Sequence, residues 1–403
     1  MPLLMLRLKK GLPTALAAFF FAAVSINVLP AVVPIAMIFG FLCSCALYHQ
    51  EIYHFAIRNK LVVLYVFIVL LSATWSVTPS STVWYGIQLF ITIGAAILIG
   101  ISASPRQLVR GIFAAMAFII LASVISGRQG PSAAGMVLVG VTGGKTAIGL
   151  SAVALVGSGI AILFDRQQPL LYRLATLPSI PIGAYLAAHV QAATALVGLV
   201  VFPIAFFGFL GLRYLNVVGR WVLIGALLVI AVPSSLAVYA YSDKLDQKIL
   251  RVLNKDATLS GRTIMWAKAD SWMQQSPLLG HGFRAFWTSG SSDSLGILHF
   301  FSLTDPRAFQ LHSTIKEVRV DTGWVGLLGF SIAAAIFVYH VIAFVFLYPT
   351  PSSAFIAAMF LMMLAHVPIE TIVGVFFPPT LFFYACGTTA IVFFMNRGLS
   401  AEC

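Results

Sequence analysis

The chain has 403 residues, of which 60% are hydrophobic and only 9% charged, with a mean hydropathy of +0.99 and a net charge of +12. A soluble domain carries about 25% charged residues, so this composition excludes a soluble catalytic domain of ordinary size. Apolar runs of about 20 residues recur along almost the whole length, which also excludes a closed barrel, since alternating strands do not give such runs. Nucleic acid is not an expected partner, because in a membrane protein the placing of the charges says more than their sum.

Twelve spanning helices are predicted in chain order, near 13–29, 31–48, 60–75, 84–103, 108–126, 145–164, 170–188, 192–212, 219–240, 322–347, 352–369 and 375–395. Arg7, Lys9 and Lys10 before the run from Leu12 to Leu29 look like the start of a signal peptide. The run is too long for one and another follows at once, so a retained first helix is expected. Pro30 and Pro34 separate the first two spans, Trp75 to Ser80 forms a turn with an interfacial aromatic, and Asp165 to Pro169 forms a polar turn. A tight turn falls near His189. The expected fold is an all-α integral membrane protein with membrane helices over 1–240 and 322–403 and one long external loop over 241–321, between the ninth and tenth spans.

Charge placement orients this arrangement. With the N-terminus inside, the cytoplasmic segments hold twelve basic residues: Arg7, Lys9, Lys10, Arg58, Lys60, Arg106, Arg110, Arg166, Arg173, Arg213, Arg220 and Arg397. The short outer loops hold two, Arg128 and Lys145. Cytoplasmic loops of membrane proteins carry the excess of Lys and Arg, so both termini are expected in the cytoplasm. The loop 241–321 is then external, with ten basic and eight of the twelve acidic residues. Long loops translocate largely regardless of charge.

Within that loop, the spacing of Leu245, Ile249, Val252 and Leu253 suggests a helix lying on the membrane surface. A second helix is predicted over Gly261 to Gln275, capped by Ser260. Ser276 to Phe283 reads as a turn and the Gly/Ser-rich stretch 289–296 as flexible. A third helix starts near His312 and runs toward the span at 322. No internal repeat is visible.

Polarity is concentrated in this loop, so chemistry is sought there. Arg262 falls in the first turn of the second helix, where a cation opposes the helix dipole. An anion bound there would remove the conflict, since free amides and the guanidinium would face one phosphate. The alternative is a surface arginine paired with Asp256 or Asp270. His312 stands where the loop re-enters the membrane, and a neutral imidazole there could accept a hydroxyl proton. Glu317, five residues on, could orient it only through an irregular turn. The alternative is a capping histidine.

Lys145 sits in Gly143-Gly144-Lys145-Thr146 at the start of a span. The upstream glycine spacing of a P-loop is absent, which leaves snorkelling to the interface or contact with a lipid-linked phosphate. His281 reads as a turn residue, and His340 and His366 as partners of a neighbouring helix. No histidines share a metal-ligand spacing. Cys43, Cys45 and Cys386 lie in apolar runs and Cys403 is the last residue, so neither a disulfide nor a metal site is expected.

Four stretches together resemble the O-antigen ligase and polysaccharide polymerase superfamily. They are Trp75 to Pro79; Leu259 to Trp266; Pro277 to Phe283 with Phe286-Trp287; and His312 to Gly326, which ends Asp321-Thr322-Gly323-Trp324-Val325-Gly326. Their order, the helix count and the position of the loop all agree with the family. The resemblance implies a glycosyltransferase of the bacterial inner membrane that needs no metal, nucleotide sugar or other cofactor. A polyprenyl-diphosphate-linked oligosaccharide would be the donor, and an acceptor glycan or glycolipid would attack its anomeric carbon. It further implies His312 as the base and Arg262 as a catalytic cation on the diphosphate, with Lys145 and Arg284 as further donor-binding cations and Glu317 in support. Membrane lipid and other polysaccharide export proteins are further expected partners.

The chain departs from the family pattern in one place. A basic residue is common at the outer end of the span near 190, where this chain reads His189-Val190-Gln191-Ala192. The expected cation is missing, so either another basic residue replaces it or the site is altered. The Phe286-Trp287 ending is similar to the succinoglycan type of exopolysaccharide polymerase and favours polymerisation over ligation to a lipid A core. A transporter or flippase of the same pathway is the rival class. Transporters place ionisable residues near the midplane, whereas here they cluster in the loop, with Glu370 as the one acid clearly beside another outer span end.

Overall fold

The computed structural model describes residues 2–132, 135–240, 262–301 and 309–401. Its helices are α1 (Pro2–Ser25), α2 (Val32–Arg58), α3 (Leu64–Leu71), α4 (Pro79–Ser102), α5 (Pro105–Ser126), α6 (Lys145–Phe164), α7 (Leu170–His189), α8 (Ala193–Gly211), α9 (Val217–Ala240), α10 (Arg262–Gln275), α11 (Ala285–Thr288), α12 (Ser292–Phe300), α13 (Thr314–Leu347), α14 (Pro351–His366) and α15 (Pro378–Ala401). The expected surface helix near 243–253, the cap Ser260, Asp256 and Cys403 lie outside the described residues.

Each of the twelve apolar segments is helical, and the chain is an all-α integral membrane protein. Among the described residues, seven helices are long and apolar enough to cross a membrane, and four shorter apolar stretches accompany them, at 11–25, 64–74, 217–227 and 351–366. The remaining predicted span, α7, is in neither group and carries Pro178 and Pro181 within one continuous helix. Local chemistry sets the helix ends. Ser104 and Gln107 close a capping box at the start of α5, and Gly127 ends it in the left-handed conformation at φ 59°. Thr350 and Ser353 do the same for α14, with Pro351 in its first turn.

Two local readings differ from the structure. The connection between α5 and α6 carries a short antiparallel hairpin, β1 (Gln129–Ser132) with β2 (Gly135–Leu138), where no strand was expected. Its residues lack the apolar alternation that marks a strand, and its closure depends on Val139 and Gly140 donating to the Arg128 carbonyl. The Gly/Ser-rich stretch 289–296 is not simply flexible, because Ser291 caps Ser294 and starts α12.

Helix direction puts Arg58, Arg106 and Arg220 at one end. Arg106 at the start of α5 pairs with Asp165 just after α6 at 2.9 Å, and Arg220 in the first turn of α9 donates to the Phe346 carbonyl at 2.6 Å. Asn59, next to Arg58, meets Met395. The opposite end gathers the turn 75–79, the loop 276–283, the start of α13 and the connection between α14 and α15. This end has its own small core, with Met265, Trp266, Trp272, Phe286, Trp287, Leu311 and Val320 buried together.

Three of the four stretches that resemble the superfamily interlock here through backbone bonds. The Trp75 indole donates to the Leu279 carbonyl at 2.9 Å, and Val77 N–H to that of His281 at 3.0 Å. His281 and Gly282 donate to Val320 and Asp321, while Trp324 and Val325 donate back to Pro277 and Leu278. Gly323 makes this possible. Its φ of 62° and ψ of −157° break α13 into 314–322 and 324–347, and a Cβ there would lie 2.2 Å from the Leu278 oxygen. Gly280 and Gly323 are therefore explained by close approach of two backbones, whereas a Cβ on Gly282 or Gly326 would meet the side chains of Ser76 and Thr322.

Candidate active site

Glu370, in the connection between α14 and α15, joins the two residues singled out in the external loop. Its Oε1 accepts from Arg262 at 2.6 Å and its Oε2 lies 2.9 Å from His312 Nδ1. Arg262 also donates to the neighbouring Ile369 carbonyl at 2.6 Å. Arg262 is the first residue of α10, and the cation at that helix start is paired with Glu370, not with Asp270. Asp270 instead pairs with Lys316, whose ammonium lies over the Trp266 ring.

The carboxylate is fixed by the chain around it. Ser313 caps α13, and Thr314 N–H donates to the carbonyls of Val367 and Glu370. The Thr314 hydroxyl donates to the Glu370 carbonyl at 2.8 Å and accepts from Ile372 N–H at 2.9 Å. Thr380 and Thr92 bind the rest of the connection through Gly374 and Phe376. Burial pushes the Glu370 carboxyl up, but Arg262 and His312 outweigh it and hold it well below the usual carboxylate range. It is therefore an acceptor only, so the His312 Nδ1 carries the proton of this bond and Nε2 has no partner among the described residues.

His312 adopts a positive φ of 50°, which a non-glycine residue holds only when its surroundings impose it. The surroundings are visible at Leu311. Its N–H donates to Glu317 Oε2 at 2.6 Å and its carbonyl accepts from the Trp266 indole at 2.8 Å. Glu317 thus reaches His312 through the backbone, not by bonding the ring. Trp287 donates to the other oxygen of Glu317 at 2.9 Å, and Arg284 lies 3.7 Å from it. Arg284 is itself buried, donating to the Phe309 carbonyl at 2.8 Å with its guanidinium 5.7 Å from the Tyr85 ring centre.

The structure brings Arg262 and His312 together and places Glu317 and Arg284 in the cluster behind Leu311. Lys145 stands at the first residue of α6, and Gln191, where the family pattern has a cation, takes a positive φ of 53° between α7 and α8. Sequence reasoning missed Glu370 as part of the site. His340 and His366 bond carbonyls of their own helices, those of Ile336 and Met362, not a neighbouring helix as expected. Among the described residues no group of three or more His, Cys, Asp or Glu is placed to hold a metal ion. Chemically, the arrangement offers a guanidinium for an anion and a half-buried imidazole beside it.

The comparisons agree with the resemblance that the motifs carry, to the O-antigen ligase and polysaccharide polymerase superfamily. The family described as O-antigen ligase matches residues 180–331, a stretch that contains Arg262, Arg284, His312 and Glu317 and stops short of Glu370. A curated relative, the exopolysaccharide production protein ExoQ of Rhizobium meliloti (strain 1021), is 27% identical over 256 residues. That match takes in 63% of this chain and spans 58% of the relative's length.

Proposed function

We propose that the protein transfers a glycan from a polyprenyl diphosphate to an acceptor sugar hydroxyl at the periplasmic face of the bacterial inner membrane. The observation that carries this reading is the pairing of a guanidinium and an imidazole on one carboxylate, at 2.6 and 2.9 Å. In the reaction, the acceptor oxygen bonds to the anomeric carbon as the bond from that carbon to the diphosphate oxygen breaks. The diphosphate leaves with the electron pair, stabilised by Arg262, and the hydroxyl proton passes to His312 Nε2. Lys145 is a second cation for the donor in this reading. Arg284 adds charge from its buried position, already engaged by Glu317, which supports the His312 backbone.

Polymerisation of repeat units is favoured by the likeness to an exopolysaccharide production protein and by Phe286-Trp287. Ligation to a lipid A core is the second reading, favoured by the O-antigen ligase match. Glycan analysis of a deletion strain separates them. Loss of long chains is expected for a polymerase, whereas accumulation of carrier-linked long chains would establish a ligase. Unchanged glycans would oppose both.

The twelve-to-two charge bias supports an external loop 241–321 with both termini in the cytoplasm. A cysteine in place of Ser291, the cap of α12, should then react with a membrane-impermeant thiol reagent in intact spheroplasts. Labelling only after lysis would reverse the topology. The donor set also favours a reaction without divalent metal, so transfer should survive excess EDTA. Loss of activity that one metal restores would contradict this.

A further inference from the structure

We propose that Glu370 is the positioning residue of this site, holding the donor cation Arg262 and the base His312 as one unit. The inference deepens the glycosyl-transfer reading and rests on it.

Each carboxylate oxygen has its own partner, Arg262 on Oε1 and His312 on Oε2. The side chain of Glu370 is 12% exposed and that of Arg262 15%, while His312 is 28% exposed. The carboxylate thus lies behind the pair and the imidazole is the most open of the three. Of the five N–H donors of a guanidinium, the Arg262 bonds to Glu370 and Ile369 use two. The others have no partner among the described residues and can serve a diphosphate without breaking the unit. Because an ionised carboxylate only accepts, Glu370 selects the His312 tautomer with the proton on Nδ1 and the lone pair on Nε2, as a base requires.

Stability alone is a weak reason for this arrangement. A buried ion pair seldom stabilises a fold more than apolar residues of similar size would. The threonines already bind the connection from 367 to 376 through its backbone, with Thr314, Thr380 and Thr92 each contributing. What the Glu370 side chain adds is the relative placement of two groups that otherwise stand on α10 and just before α13. A donor cation and an acceptor base must act on the two ends of one reacting bond, and a shift of about 1 Å between such groups costs on the order of 100-fold in rate.

The test uses the purified full-length protein, lipid-linked repeat unit and acceptor, and reads kcat and the donor KM separately. Glu370→Gln should lower kcat by about 10²- to 10⁴-fold and raise the donor KM less than Arg262→Ala does. The loss should shrink sharply in a His312→Ala background, where only the placing of Arg262 is left to lose, and Glu370→Asp should recover part of kcat. If the glutamine variant does not fold, the same comparison with Glu370→Asp, alone and with His312→Ala, decides the matter. Wild-type kcat in Glu370→Gln, or losses that multiply with His312→Ala, would overturn the proposal while leaving the transfer reading intact. Wild-type turnover by His312→Ala would instead overturn the base assignment and this inference with it.

Discussion

His312→Ala is expected to lower turnover by roughly two to four orders of magnitude, the usual contribution of a general base. The ring is partly exposed and outside both apolar cores, so removing it leaves no cavity among packed side chains. Protein level and helix content should stay near wild type. The donor KM should change little, because the base acts on the acceptor proton and not on the diphosphate. The backbone should also hold its place, since Leu311 remains fixed by Glu317 and Trp266 whatever side chain follows it. Measurement of kcat and donor KM on purified variant checks this. Full glycan assembly in cells by the variant at normal expression would refute the assignment.

Arg262→Ala is expected to weaken donor binding as well as turnover. A charge-assisted hydrogen bond contributes roughly 1.5–3 kcal/mol, and this one acts on the diphosphate before and during bond breaking. The corresponding fall in kcat/KM is about 10- to 150-fold. On sequence grounds the variant should fold normally, but the structure changes that expectation. Arg262 is the cation on the largely buried Glu370 carboxylate, and its loss leaves that charge with His312 alone. A lower Tm should accompany the kinetic effect, and Arg262→Lys, which keeps the charge, should recover more Tm than donor binding because an ammonium lacks the planar fork. If Lys145 has taken the role of the cation missing at Gln191, Lys145→Ala should be as damaging as Arg262→Ala. A donor KM unchanged in Arg262→Ala would sink the diphosphate assignment.

The spans were legible because a helix in lipid must be apolar along its whole length, and that signal is local. The helix predicted over Gly261–Gln275 likewise corresponds to α10, Arg262–Gln275. The hairpin was not legible, since its residues carry little alternation and its stability comes from backbone pairing. Arg262 drew attention through its conflict with the helix dipole, and His312 through its place at the re-entry point. Glu370 had no such local mark beyond being an acid at an outer span end. Its partners are 58 and 108 residues away, and only the packing of α10 and α13 against the α14–α15 connection unites them. The help from Glu317 to His312, which in sequence depended on an irregular turn, comes through Leu311, which residue spacing could not show. Arg284 looked like an open cation in sequence and is a buried one in the fold, turned toward Glu317 and Phe309.

The most direct measurement is transfer in vitro with purified protein and native lipid-linked repeat unit as the donor, followed by the length of the carrier-linked glycan. The account predicts longer glycan and released polyprenyl diphosphate with the wild-type protein, and neither at a comparable rate with His312→Ala. Equal rates for the two proteins, or no transfer by folded wild-type protein supplied with its native donor and acceptor, would contradict it.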